Sequence, residues 1–359
     1  MAFVLTLALA IYGGAQKIED SYGYAVNTHA VSDLFFLDGS QGWMVVEDHS
    51  ANMSFLLKTG DGGKSWGRWD APQGITRLFF LNGKLGWALS STVAPSGGHT
   101  TEYLLRTTNG GKAWTSETII SDAEEAGVVG DLAFINDKLG WAVGNGPTGA
   151  ALVLVSSDGG ATVHSLPGLS KLMRFCRGIS ASEESGVWIY GDGSLLHSAD
   201  RGKTWQTAVD LHRLGTDADA FSVSSAFFGS SGRGWLFGQD PEGMILRTED
   251  FGKHWNVSFR SKEVGNFEGV SFWDERHGCA VSFYPVLFFC TKDGGLTWTS
   301  RDSLPPARDN QAGFFERLVI LKSGQGWALR AGGYLYETSD GGKSWRDVDA
   351  LTNLTLLEP

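Results

Sequence analysis

Thr59-Gly-Asp-Gly-Gly-Lys-Ser-Trp66 decides the fold, because the same eight-residue phrase returns along the chain. It recurs as Thr107-Thr-Asn-Gly-Gly-Lys-Ala-Trp114 and in a worn copy, Ser156-Ser-Asp-Gly-Gly-Ala-Thr-Val163. Four more follow: Ser198-Ala-Asp-Arg-Gly-Lys-Thr-Trp205, Thr248-Glu-Asp-Phe-Gly-Lys-His-Trp255, Thr291-Lys-Asp-Gly-Gly-Leu-Thr-Trp298 and Thr338-Ser-Asp-Gly-Gly-Lys-Ser-Trp345. The six intervals between Asp61 and Asp340 average 46.5 residues. A period in the forties suits a four-stranded propeller blade. The chain therefore reads as all-β, a seven-bladed β-propeller of four-stranded antiparallel blades.

A second phrase precedes each copy, as in Leu34-Phe-Phe-Leu…Gly42-Trp43, Leu78-Phe-Phe-Leu…Gly86-Trp87 and Leu318-Val-Ile-Leu…Gly326-Trp327. Twelve of the 14 tryptophans occupy one of these two repeat positions, which marks them as packing residues between neighbouring sheets. The expected blades run over 31–70, 75–118, 129–166, 175–209, 222–259, 267–301 and 314–349, within one domain spanning 16–359. Glycine is 49 of 359 residues without a three-residue period, so the glycines are turn residues.

Hairpin register follows by counting outward from the turns. Asp192-Gly193 is a type I′ turn signal that pairs Trp188 with His197. The same rule pairs Trp235 with Arg247, Trp327 with Glu337, and Cys279 with Cys290. Opposed Cα atoms on antiparallel strands lie ~4.5–5.5 Å apart, within reach of a disulfide. The alternatives for Cys279 and Cys290 are such a bond or two small buried thiols, with Cys176 free in either case.

In each phrase the acidic or amide residue, namely Asp61, Asn109, Asp158, Asp200, Asp250, Asp293 and Asp340, reads as a turn staple accepting hydrogen bonds from its own loop. Calcium loops need further oxygen ligands at fixed offsets. Here the flanking positions are Lys, Phe, Leu and Ala, so no metal is expected.

The phrase Ser/Thr-x-Asp-x-Gly-x-Thr/Ser-Trp is similar to the BNR or Asp-box motif shared by sialidases, sortilin-type receptors and some xyloglucan hydrolases. With Phe134…Gly140-Trp-Ala-Val-Gly144 added, residues 33–348 resemble the photosystem II stability/assembly factor family. That resemblance implies a seven-bladed, non-enzymatic assembly partner with a basic patch that contacts a polypeptide. Lys171, Arg174 and Arg177 are the corresponding candidates, set against the plainer reading of solvated loop charge. The chain departs from the pattern at Val163, at Cys279 and in its acidic balance.

Net charge is −11, against a nucleic-acid binder that must displace counterions with a basic stripe. The eight histidines lack zinc-ligand spacing, and there is no nucleophile elbow or phosphate loop, so no cofactor is expected. A carbohydrate-active propeller, either a sialidase-like or xyloglucanase-like glycoside hydrolase or a lectin, is the alternative. Two axial carboxylates with flanking aromatics would favour it, and a charged funnel would favour the scaffold. Of the loops opposite the Asp-boxes, 115–131 reads as acidic, 164–178 as basic, and 299–316 as long with Pro305-Pro306.

Ala2 to Tyr12 is an uncharged apolar run before Gly13-Gly14-Ala15-Gln16, which reads as a signal peptide over 1–15 and an exported protein, with an edge strand or a short anchor as the alternative. No later stretch is long and apolar enough to span a membrane. The expectation is a monomeric, exported, protein-binding scaffold. Tyr22 to Val26 stands where a strand clasping the last blade would lie.

Overall fold

The computed structural model describes residues 29–93, 100–120, 127–146, 148–173, 175–192, 194–210, 221–240, 242–283, 285–301, 315–349 and 354–357. The expected signal peptide, the segment Tyr22 to Val26 and Arg174 lie outside them.

Seven four-stranded antiparallel sheets follow one another along the chain, each made of four consecutive strands. Their inner strands are His29–Phe36, Ile75–Phe80, Val128–Phe134, Cys176–Ser182, Ser222–Phe228, Phe267–Phe272 and Phe315–Ile320. Each inner strand touches that of the next blade, and the seventh touches the first, which closes the ring. The helical structure among the described residues is one 3₁₀ turn, Leu169–Lys171.

The expected pairings occur: Trp188 opposite His197, Trp235 opposite Arg247, Trp327 opposite Glu337 and Cys279 opposite Cys290. Cys279 and Cys290 are joined by a disulfide of 2.08 Å, and Cys176 is free and buried.

All six Gly-Trp indoles are buried, and most stack on the phenylalanine that ends the next blade's inner strand. Trp43 lies 3.8 Å from Phe80, Trp87 3.7 Å from Phe134, Trp188 4.3 Å from Phe228 and Trp235 4.5 Å from Phe272. Across the closing seam Trp327 stacks on Phe36 at 4.7 Å. Two seams lack the pair. Ser182 ends the fourth inner strand opposite Trp141, and between blades 6 and 7 Cys279 and Ile320 occupy the two positions.

Each Asp-box joins its own outer hairpin to the preceding blade. In the last box Asp340 Oδ1 accepts from the Thr338 hydroxyl and Ser344 N–H at 2.9 Å each, while Thr338 Oγ1 accepts from Gly342 N–H at 3.0 Å. The same bonds recur around Asp61, Asn109, Asp158, Asp200, Asp250 and Asp293. Gly63 has φ 84°, and a Cβ there would lie 2.1 Å from the Trp327 ring, so glycine is required both by the turn and by the neighbouring indole. Trp43, Trp87 and Trp235 donate to the carbonyls of Gly110, Gly159 and Gly294 in the next blade's box.

After the last blade the chain returns to the first. Leu354 is buried, Trp66 N–H donates to the Thr355 carbonyl at 2.8 Å, and Leu357 N–H donates to the Trp66 carbonyl at 2.7 Å. His29 Nδ1 meets Asp349 at 2.9 Å across the same seam.

Candidate functional site

Every inner strand carries a β-bulge at the same place, where the pairing skips Ser32, Thr76, Gly130, Arg177, Ser224, Glu268 and Glu316 in turn. A bulge breaks the two-residue alternation and re-aims side chains. Here it turns polar residues of otherwise apolar strands toward the axis. The residues that follow, in blade order, are Asp33, Arg77, Asp131, Gly178, Ser225, Gly269 and Arg317.

This ring of residues is charged over blades 7, 1, 2 and 3 and small elsewhere. Its charges form a relay. Arg317 Nε lies 2.8 Å from Asp33 Oδ1, Arg77 Nη1 3.7 Å from the same oxygen, and Arg77 Nε 3.1 Å from Asp131 Oδ1. The carboxylates also hold neighbouring blades by their backbones: Asp33 accepts from Leu78 N–H at 2.7 Å and Asp131 from Ile179 N–H at 3.1 Å. Burial raises the Asp33 carboxyl to about 6 against the pull of Arg77 and the Leu78 amide.

Where the ring carries Gly178, Ser225 and Gly269, a cavity of about 230 Å³ opens, lined among others by Arg177, Tyr190, Asn266, Glu268, Glu316 and Arg317. Glu268 Oε2 accepts from Phe315 N–H at 2.7 Å. Burial pushes the Glu268 carboxyl up to about 7, while the Glu316 side chain stands exposed at the cavity. Arg177 reaches Asp192 at 3.3 Å with its guanidinium 5.1 Å from the Phe175 ring. The cavity lies toward the starts of the inner strands, where the inter-blade connections enter, opposite the Asp-boxes.

These positions correct the loop boundaries expected from sequence. Within 115–131, Thr115–Ile120 is an outer strand and Asp131 sits at the axis in Val128–Phe134. Arg177 belongs to the inner strand Cys176–Ser182, whereas Lys171 stands exposed at the end of the 3₁₀ turn. The segment 299–316 likewise surrenders Thr299–Arg301 and Phe315–Glu316 to strands. Asp33, Arg77, Glu268, Glu316, Arg317 and Tyr190 were not singled out. A signal existed in four repeats, where a charge precedes the leucine: Asp33-Leu34, Arg77-Leu78, Asp131-Leu132 and Arg317-Leu318.

Burial holds the Cys176 thiol up at about 12, so it stays protonated and unreactive. Among the described residues no three His, Cys, Asp or Glu side chains group as a metal site, and no helix is long and apolar enough to cross a membrane.

A family model described as photosynthesis system II assembly factor YCF48 matches residues 249–355. The chain is 26% identical over 278 residues to photosystem II stability/assembly factor HCF136, chloroplastic, of Arabidopsis thaliana, covering 71% of this chain and 64% of that protein. It is 31% identical over 165 residues to photosystem II assembly lipoprotein Ycf48 of Synechococcus sp. (strain CC9902), covering 45% and 44%. The matches thus span less than two thirds of either relative. Among solved structures, YCF48 bound to D1 peptide superposes with a TM-score of 0.57 at 17% identity, over 87% of this chain and 92% of that one. YCF48 from Cyanidioschyzon merolae gives 0.56 at 16% identity, over 87% and 96%. The GH74 xyloglucanase from Xanthomonas campestris gives 0.64 at 13% identity, over 89% of this chain and 55% of that one. At these identities the superpositions show the shared fold and nothing finer. The chain is thus a seven-bladed Asp-box propeller, similar in sequence to photosystem II assembly factors.

Proposed function

We propose that the chain is a non-enzymatic, exported scaffold that binds a protein or peptide partner on the face opposite its Asp-boxes. The carrying observation is how the two faces differ. The box carboxylates are consumed by their own turns, whereas the other face opens into a charged axial funnel rimmed by Arg177, with Lys171 exposed in the connection that leads into the same blade. Recognition commonly resides in such openings and loops on a rigid scaffold. The relatives are named as assembly factors, and one was solved with a peptide, which supports a polypeptide partner.

A hydrolase reading is weaker. Among the described residues no tryptophan lines the cavity to stack a sugar, Phe315 is buried beneath Arg330, and the arginine relay pairs Asp33 and Asp131. Export is supported by the disulfide, since such bonds persist in oxidising compartments, and by a relative described as a lipoprotein.

The test is capture of a partner by the tagged, exported chain and by its Lys171→Glu, Arg174→Glu, Arg177→Glu triple variant. Loss of capture with unchanged folding is expected. Undiminished capture by the variant would remove the basic rim from the interface, and xyloglucan cleavage by the purified chain would replace this reading by the enzymatic one.

A further inference from the structure

We infer that the axial cavity is a cation-accepting pocket, shaped for a guanidinium or ammonium group on a partner's side chain. The argument begins with charge. Three arginines line the cavity and each is already engaged: Arg77 by Asp131 and Asp33, Arg317 by Asp33, and Arg177 by Asp192. The carboxylates are not matched in this way. Glu268 receives one backbone N–H through one oxygen, and Glu316 has no hydrogen-bond or ion-pair partner among the described residues. The unanswered charge on the wall is therefore negative, despite the arginines.

A second observation is independent of those acids. Tyr190 is only 9% exposed and lines the cavity, yet its hydroxyl has no hydrogen-bond partner among the described residues. The ring is held by the fold while the hydroxyl opens onto the cavity, available to a bound group. Space for it exists because Gly178 carries no side chain: a Cβ there would lie 2.4 Å from Tyr190 Oη and 2.9 Å from Asp131 Oδ2. With Ser225 and Gly269 at the equivalent positions, three neighbouring blades leave the axis open to a planar or tetrahedral cation, and the tyrosine oxygen and the carboxylates are left as acceptors.

Protonation couples to occupancy. Glu268 faces Arg177, Arg330 and Glu316, and Glu316 faces Asp33 and Arg77; at Glu268 burial outweighs the arginines and holds the carboxyl near 7. A cation entering the cavity favours the ionised forms, so it displaces protons when it binds near neutral pH.

The inference rests on the partner-binding reading only for the source of the cation, and its test needs no partner. Propylguanidinium, with butyrate as the anionic control, is titrated calorimetrically into the full chain below about pH 6 and above about pH 8. Tighter binding at the higher pH, proton release near neutrality and no response to butyrate are expected. Glu268→Gln and Glu316→Gln together, which preserve shape, should weaken binding about tenfold or more, and Tyr190→Phe should weaken it less. The Lys171→Glu, Arg174→Glu, Arg177→Glu variant should retain or tighten propylguanidinium binding while losing partner capture, so the two readings fail separately. Binding of butyrate in preference, absence of propylguanidinium binding, or equal affinity in the folded glutamine variants would overturn the pocket.

Discussion

At the scale of single residues the Asp-box works through a buried hydroxyl as much as through its carboxylate. Thr338 Oγ1 donates to Asp340 and accepts from Gly342 N–H, and Thr338 is buried. Replacement by the nearly isosteric valine leaves a buried amide without its acceptor, a cost of about 1–3 kcal/mol. Thr338→Val should accordingly lower the urea midpoint without changing the denaturation slope; an unchanged midpoint would show that the turn is held without this hydroxyl. Thr59, Thr107, Ser156, Ser198, Thr248 and Thr291 hold the same place in their boxes, which is why the motif demands Ser or Thr there.

At the scale of the strand, hairpin register was legible and the bulge in each inner strand was not. Period, tight-turn glycines and paired tryptophans give blade count and hairpin register, because both depend on local spacing. The bulges depend on crowding at the axis, which no single repeat reveals. They shift the alternation, so Asp131 and Arg177 looked like loop charges when each lies in an inner strand. The cross-strand pair in blade 6 was open between thiols and a bond by counting alone, and the structure joins it. A disulfide closing so short a loop stabilises by about 2–4 kcal/mol, largely through the unfolded chain. Dithiothreitol should lower the free energy of unfolding by that amount, and Cys279→Ser with Cys290→Ser should match the reduced protein; stability insensitive to reductant would show that strand pairing suffices.

Across the whole molecule, the two faces impose opposite dependences on pH. Hydroxyl and amide donors in the boxes hold the Asp158, Asp200, Asp293 and Asp340 carboxyls down to about 2, against an ordinary 3.8. Their contribution is complete above the ordinary value and disappears as pH falls toward 2, because the unfolded chain takes up protons first. Glu268 acts in reverse. Its carboxyl lies near 7 in the folded chain against an ordinary 4.5, so between those values the unfolded chain releases a proton that the fold retains, and stability declines as pH rises. Denaturation midpoints followed from acid to neutral should peak between about pH 4 and 5. A profile that climbs steadily to neutrality would mean that the axial carboxylates are ionised at little cost.

The Gly-Trp indole has no phenylalanine partner at two joints of the ring, between blades 3 and 4 and between blades 6 and 7, where Phe288 stacks on Trp345 instead at 4.9 Å. Those joints divide the circle into an arc of blades 7, 1, 2 and 3, riveted by the Arg317–Asp33–Arg77–Asp131 chain, and an arc of blades 4, 5 and 6 that bears most of the hollow. The ring is thus tied by charge along one side of its axis and left open along the other, so the side without axial salt bridges is the side with room for a guest.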